Sequence, residues 1–78
     1  SVIVHTIGFA LNSLKEYGNT AAQNSALRNG AINLLRETAK KGGGKFYSTN
    51  TYDELLASFR SIVNTKVADI ENTSFASP

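Results

Sequence analysis

The chain has 78 residues, no cysteine and a single histidine, and its 8 Lys and Arg against 6 Asp and Glu leave a net charge of +2. That length allows at most one small domain, whose core supplies only a few kcal/mol beyond the entropy cost of ordering it. There can be no disulfide framework, no thiolate metal site and no histidine zinc cluster; the scattered charge lacks the basic stripe of a nucleic-acid binder, and no apolar run approaches the roughly 18 residues of a membrane span.

Residues 2–10, V-I-V-H-T-I-G-F-A, form a nearly unbroken β-branched and apolar run. Strict alternation would mean one wet face; a continuous run predicts a strand covered on both faces, as in a parallel sheet. Gly8 marks the end of that strand or a close backbone approach. Residues 12–24 are polar and read as a long loop with a short helical turn at 13–17, the one segment that could hide a contact surface.

From about Ser25 the apolar period becomes that of a helix, with Asn24 or Ser25 as its cap. Leu27, Ala31, Leu34, Leu35 and Thr38 set the stripe, and Ile32 and Ala39 widen it. Gly30 inside it costs about 1 kcal/mol against Ala. Lys40 and Lys41 suit a helix C-terminus, and Gly42, Gly43 and Gly44 supply a left-handed cap and a tight turn.

Residues 45–48 predict a short strand at or near a sheet edge, with Lys45 guarding it. Thr51 followed by Glu54 matches a capping box, opening a helix whose apolar face is Leu55, Leu56, Phe59, Ile62 and Val63, with Val67 and Ile70 continuing it. Residues 71–78 read as a linker or an approach to another strand. The order is β-loop-α-β-α, which implies a parallel pair with a right-handed crossover. The apolar first strand calls for a neighbour on its other edge, and both ends read as cuts through a longer chain with no signal peptide in view.

Candidate chemistry is thin. Phosphate loops run strand, glycines, helix; here the glycines follow a helix and precede a strand. His5 has only Thr6 beside it and reads as structural. Asp53 and Glu54 point about 100° apart on a helix, so they cap rather than converge as an acid–base pair. Asp69 and Glu71 gather no metal cluster, and Tyr17, Tyr47 and Tyr52 are not grouped. No catalytic, cofactor-binding or metal residue is assigned, and the chain is read as non-enzymatic.

The runs Val4-His5-Thr6-Ile7-Gly8-Phe9-Ala10, Leu34-Leu35 with Thr38-Ala39, Gly42-Gly43-Gly44-Lys45-Phe46-Tyr47, and Asp53-Glu54-Leu55 with Phe59 and Ile62 together resemble the last third of a von Willebrand factor A domain. More narrowly, the triple glycine and the closing Thr73-Ser74-Phe75-Ala76-Ser77-Pro78 are similar to the version in type IV pilus tip adhesins and assembly factors, the PilC/PilY class. The resemblance implies an α/β, doubly wound, Rossmann-like sheet. This chain would supply its last two strands and helices, with residues 1–70 as the C-terminal portion of the domain and 71–78 as its exit.

The family's metal-dependent adhesion site uses a D-x-S-x-S motif after the first strand. None is present here, so no metal ligand carries over, and any divalent cation of the parent domain would be held upstream of Ser1. A calcium-binding propeller of the pilus class would likewise lie outside this chain. The resemblance implies surface adhesion and pilus biogenesis. Protein partners, pilus components or a host-surface ligand, would be met through a parent at the pilus, outer membrane or cell exterior, with no nucleic acid. A von Willebrand A domain of a chaperone-like or complex-assembly protein is the second reading. The expected core is Leu27, Leu34, Leu35, Phe46, Leu55, Leu56, Phe59 and Ile62.

Overall fold

The computed structural model describes the backbone of residues 2–76 and the side chains as far as Thr65. The elements are β1 (Val4–Phe9), a 3-10 turn (Leu11–Ser13), α1 (Ala21–Lys41), β2 (Gly43–Thr49) and α2 (Tyr52–Ala76). β1 and β2 are parallel, as the helix crossover between them requires. The fold is therefore mixed α/β with one parallel pair and two helices.

The pairing is Val4 with Gly43, then Thr6 with Phe46, Ile7 with Tyr47, Gly8 with Ser48 and Phe9 with Thr49. Between the first two pairs β2 uses one residue more than β1, so β2 carries a bulge at Gly44 and Lys45. Thr6 donates its hydroxyl to the Leu35 carbonyl of α1 at 2.7 Å. By the two-residue period Val4, Thr6 and Gly8 face α1, together with their partners Phe46 and Ser48. His5, Ile7, Phe9, Tyr47 and Thr49 face the other way. There α2 meets both strands while scarcely touching α1, so the two helices cover opposite faces.

Helix α1 begins four residues before the position its apolar period suggests. Thr20 caps it: its hydroxyl accepts from the Gln23 N–H at 3.1 Å, and the Gln23 side chain accepts from the Thr20 N–H at 2.8 Å. The first turn, Ala21 to Asn24, is polar enough to pass for loop. The connection from Leu14 to Thr20 is correspondingly short and tied to α1. Asn24 accepts from the Glu16 N–H at 3.0 Å and from the Asn19 amide at 3.1 Å, and Arg28 donates to the Leu14 carbonyl at 3.2 Å.

Capping of α2 follows the sequence. The Thr51 hydroxyl accepts from the Glu54 N–H at 3.2 Å, and Glu54 accepts from the N–H groups of Thr51 at 3.1 Å and Asn50 at 2.7 Å. The helix continues to Ala76, through the stretch from Glu71 that reads as a linker. Lys40 and Lys41 occupy the last turn of α1.

The three glycines divide their work. Gly42 ends the helix, its N–H bonding back to Thr38, and lies against the Val4 side chain. Gly43 takes the left-handed backbone at φ +72. Gly44 passes so close to the Val4 carbonyl that any Cβ would collide with it. The strand therefore starts inside the glycines, at Gly43, and not at Lys45. Gly8 is a close approach rather than an end: a Cβ there would meet the Leu11 side chain and the Phe46 ring, and the strand continues to Phe9.

The expected core is only partly formed. Leu35, Phe46, Leu55, Leu56 and Ile62 are half-buried, while Leu27, Leu34 and Phe59 are exposed, Leu34 by 68%. Among the described residues the buried apolar side chain is Ala39, and the buried polar ones are Thr49 and Ser58. The narrowest dimension of 11 Å explains this. Two strands about 4.8 Å apart make a sheet narrower than the helices laid on it, and among the described residues no large side chain is fully enclosed.

Candidate functional site

Among the described residues there is no ligand-sized cavity and no group of three acidic or histidine side chains. Of the residues weighed for chemistry, His5 and Glu54 have structural tasks. The Lys45 N–H, displaced by the bulge, donates to His5 Nδ1 at 3.1 Å, which needs a neutral ring with its proton on Nε2. The His5 ring also lies 6.2 Å from that of Tyr47. Glu54 caps α2, Tyr17 is fully exposed and Tyr52 largely so. The side chains of Asp69 and Glu71 lie outside the described residues.

What the fold does offer is an edge. The N–H groups of Val4 and Ala10 donate toward the β2 side, to the carbonyls of Gly42, just before β2, at 3.1 Å and of Thr49 at 2.8 Å. The backbone alternates along a strand, so His5, Ile7 and Phe9 turn their N–H and C=O groups outward, away from β2. Natural edge strands are blunted by bulges and charges. The outer edge of β2 has both, in the bulge and Lys45. β1 has neither: from Val2 to Asn12 there is no Asp, Glu, Lys or Arg, and Val2, Ile3 and Phe9 are 84%, 47% and 51% exposed.

The helices carry the same asymmetry. Side chains advance about 100° per residue around a helix. In α1, Leu35 sits over Thr6 and points at the sheet. Arg36 turns toward β2, where its guanidinium lies 5.8 Å from the Phe46 ring centre. Leu34 therefore turns the opposite way, out past β1, and Leu27, two turns earlier, turns with it. The β1 side of α1 presents Leu27 and Leu34, while its β2 side presents Ser25, Asn29 and Arg36.

Helix α2 runs in the same direction on the other face, so the angular sense that leads α1 toward β2 leads α2 toward β1. Starting from the buried Ser58, that sense reaches Phe59, and the stripe Tyr52, Leu56, Phe59, Val63 lies on the β1 side. Tyr52, Phe59 and Val63 are 71%, 52% and 56% exposed. The opposite flank carries Asp53, Ala57 and Asn64. Strand edge and both helices thus agree: the β1 side carries the exposed apolar stripes, with Glu37 and Lys41 at the margin of α1, and the β2 side is polar and bulged.

Sequence reasoning asked for a neighbour beside β1 but did not see the two helical stripes, because it assigned Leu27, Leu34 and Phe59 to the internal core. The widened stripe of α1 was the available signal, since it is broader than a two-stranded sheet can cover. No protein-family model matches this chain, and no curated protein or solved structure does so either.

Proposed function

We propose that this chain is a non-catalytic structural unit of a larger α/β sheet, the closing β-α-β-α of a von Willebrand A-like domain in a type IV pilus tip or assembly protein. The observation that carries the reading is the one-sided edge. An uncharged β1 with outward peptide groups, flanked on both faces by exposed Leu27 and Leu34 and by Phe59 and Val63, suits a further strand beside β1 with further helices beside α1 and α2. β2, bulged and carrying Lys45, suits the outer strand of such a sheet. The pilus assignment rests on the sequence resemblance alone.

In this reading the residues complete and cover the sheet, and any cation or ligand chemistry belongs to residues before Ser1. The test is the polypeptide extended upstream by about one domain length, ~150 residues. It should bring a D-x-S-x-S motif on a strand, and in the extended protein the Ile7 and Phe9 amides should be protected from exchange. An extended protein without that motif would remove the family assignment; one in which Ile7 and Phe9 still exchange freely would remove the neighbour. Turnover by the 78-residue chain without added metal would contradict the non-catalytic reading.

A further inference from the structure

We infer that Asn29 is a site of spontaneous deamidation that α1 holds closed, so that conversion of its side-chain amide to an acid records the opening of that helix. This rests on α1 alone and not on the family reading.

Asn29 is the asparagine that glycine follows; after the others come Ser, Thr or Leu. A following side chain crowds the backbone nitrogen that must attack, and Gly30 has none, with open space where a Cβ would stand. The Asn29 side chain is exposed, on the β2 side of α1. The helix supplies the restraint. Within Ala21–Lys41 the Gly30 N–H is tied to the Ala26 carbonyl one turn back, and helical torsions at Asn29 hold that nitrogen out of line with the side-chain carbon. Asn and Gly are both poor helix formers, so the reactive pair weakens the element that guards it.

Once α1 opens locally, base removes the Gly30 amide proton and the nitrogen attacks Asn29 Cγ. The bond from the Gly30 nitrogen to Cγ forms, the Cγ–Nδ2 bond breaks, and the side-chain nitrogen leaves as ammonia with a proton drawn from water. Water then opens the cyclic imide at one of its two carbonyl carbons. Attack at Cγ leaves an aspartyl residue; attack at the backbone carbonyl leaves an isoaspartyl link, whose chain runs through Cβ and Cγ. Either product adds a negative charge. The isoaspartyl link also puts an extra backbone carbon into α1, between Arg28, which holds the Leu14 carbonyl, and Leu35, whose carbonyl holds Thr6. The helix ladder cannot close across that step, so the opened state becomes permanent.

Incubation in mildly alkaline buffer, with and without denaturing urea, followed by peptide mapping with mass spectrometry, tests this. In urea Asn29 should convert faster than every other asparagine, and in native buffer at least tenfold more slowly than in urea. Gly30→Ala, which places a Cβ beside the attacking nitrogen, should suppress conversion in urea at least tenfold. Thr20→Ala removes the cap of α1 and should speed conversion in native buffer about fivefold, the effect of losing a cap of ordinary strength. The isoaspartyl product, isolated by chromatography, should unfold at lower urea than the parent. Equal rates with and without urea would overturn the proposal, as would a faster asparagine in urea or undiminished conversion in Gly30→Ala. So would a Thr20→Ala rate equal to wild type, or an isoaspartyl product as stable as the parent. None of these results touches the proposed function, which the extended protein tests separately.

Discussion

Replacing Gly43 by L-alanine isolates one backbone torsion. The residue sits at φ +72, and a Cβ there meets no atom within 4 Å. Steric crowding against the rest of the molecule is thus absent, and the cost is the left-handed conformation alone, about 1–2 kcal/mol for an L residue. For D-alanine the same torsion is favourable. Its gain is the lowered entropy of the unfolded chain, which is about 0.4–1 kcal/mol for Gly-to-Ala changes at compatible positions. Gly44 provides the contrast, because its Cβ would land on the Val4 carbonyl and part the two strands. Overpacking costs about 1–3 kcal/mol, and a backbone obstacle sets this one at the upper end. Total synthesis gives all three variants, and urea unfolding followed by circular dichroism gives their stabilities. The D-alanine replacement of Gly43 should be at or above wild type, followed by Gly43→Ala with the L residue, and then by Gly44→Ala. Equal stability of the D and L replacements of Gly43 would refute the torsional argument.

Other changes probe other links. Thr51→Ala removes one half of the α2 capping box and should lower stability by about 1 kcal/mol, read as loss of helical signal at fixed urea. Gly30→Ala, in a helix interior with open space around it, should stabilise the monomer by about 1 kcal/mol, raising its urea midpoint. Thr49→Val keeps the shape of a buried side chain but loses the 2.8 Å bond to the Gly8 carbonyl; a cost of about 1 kcal/mol is expected by the same titration. His5→Ala frees the Lys45 N–H to water, so that amide should exchange faster while the Phe46 and Ser48 amides change little.

Much of this architecture is readable in the residues. The unbroken V-I-V-H-T-I run and the crossover helix require a parallel pair, and Thr51 with Glu54 marks the start of α2 to the residue. The start of α1 is harder: Thr20 and Gln23 spell a second capping box, but the polar turn after it has no apolar period to announce a helix. The strand boundary at Gly43 is hidden for a different reason, since glycines in sequence signal a turn, and only the close approach to Val4 shows them pairing. The core assignments fail most instructively. Periodicity says that Leu27, Leu34 and Leu35 share a helix stripe; it does not say how many neighbours the stripe serves. Leu35 faces the sheet of its own chain, while Leu27 and Leu34 face outward beyond β1. A sequence with one histidine and no converging carboxylates leaves little to read as a site, and the edge emerges only when strand register and helix rotation are known together.

The most direct test of an open, unguarded β1 edge is residue-resolved amide exchange, at a concentration where sedimentation shows monomer. Thr6 and Gly8, whose amides face β2, should be protected, while Ile7 and Phe9 exchange nearly as fast as unstructured peptide. Uniformly slow exchange along β1 in the monomer would contradict the account, because it would mean that the edge is already covered.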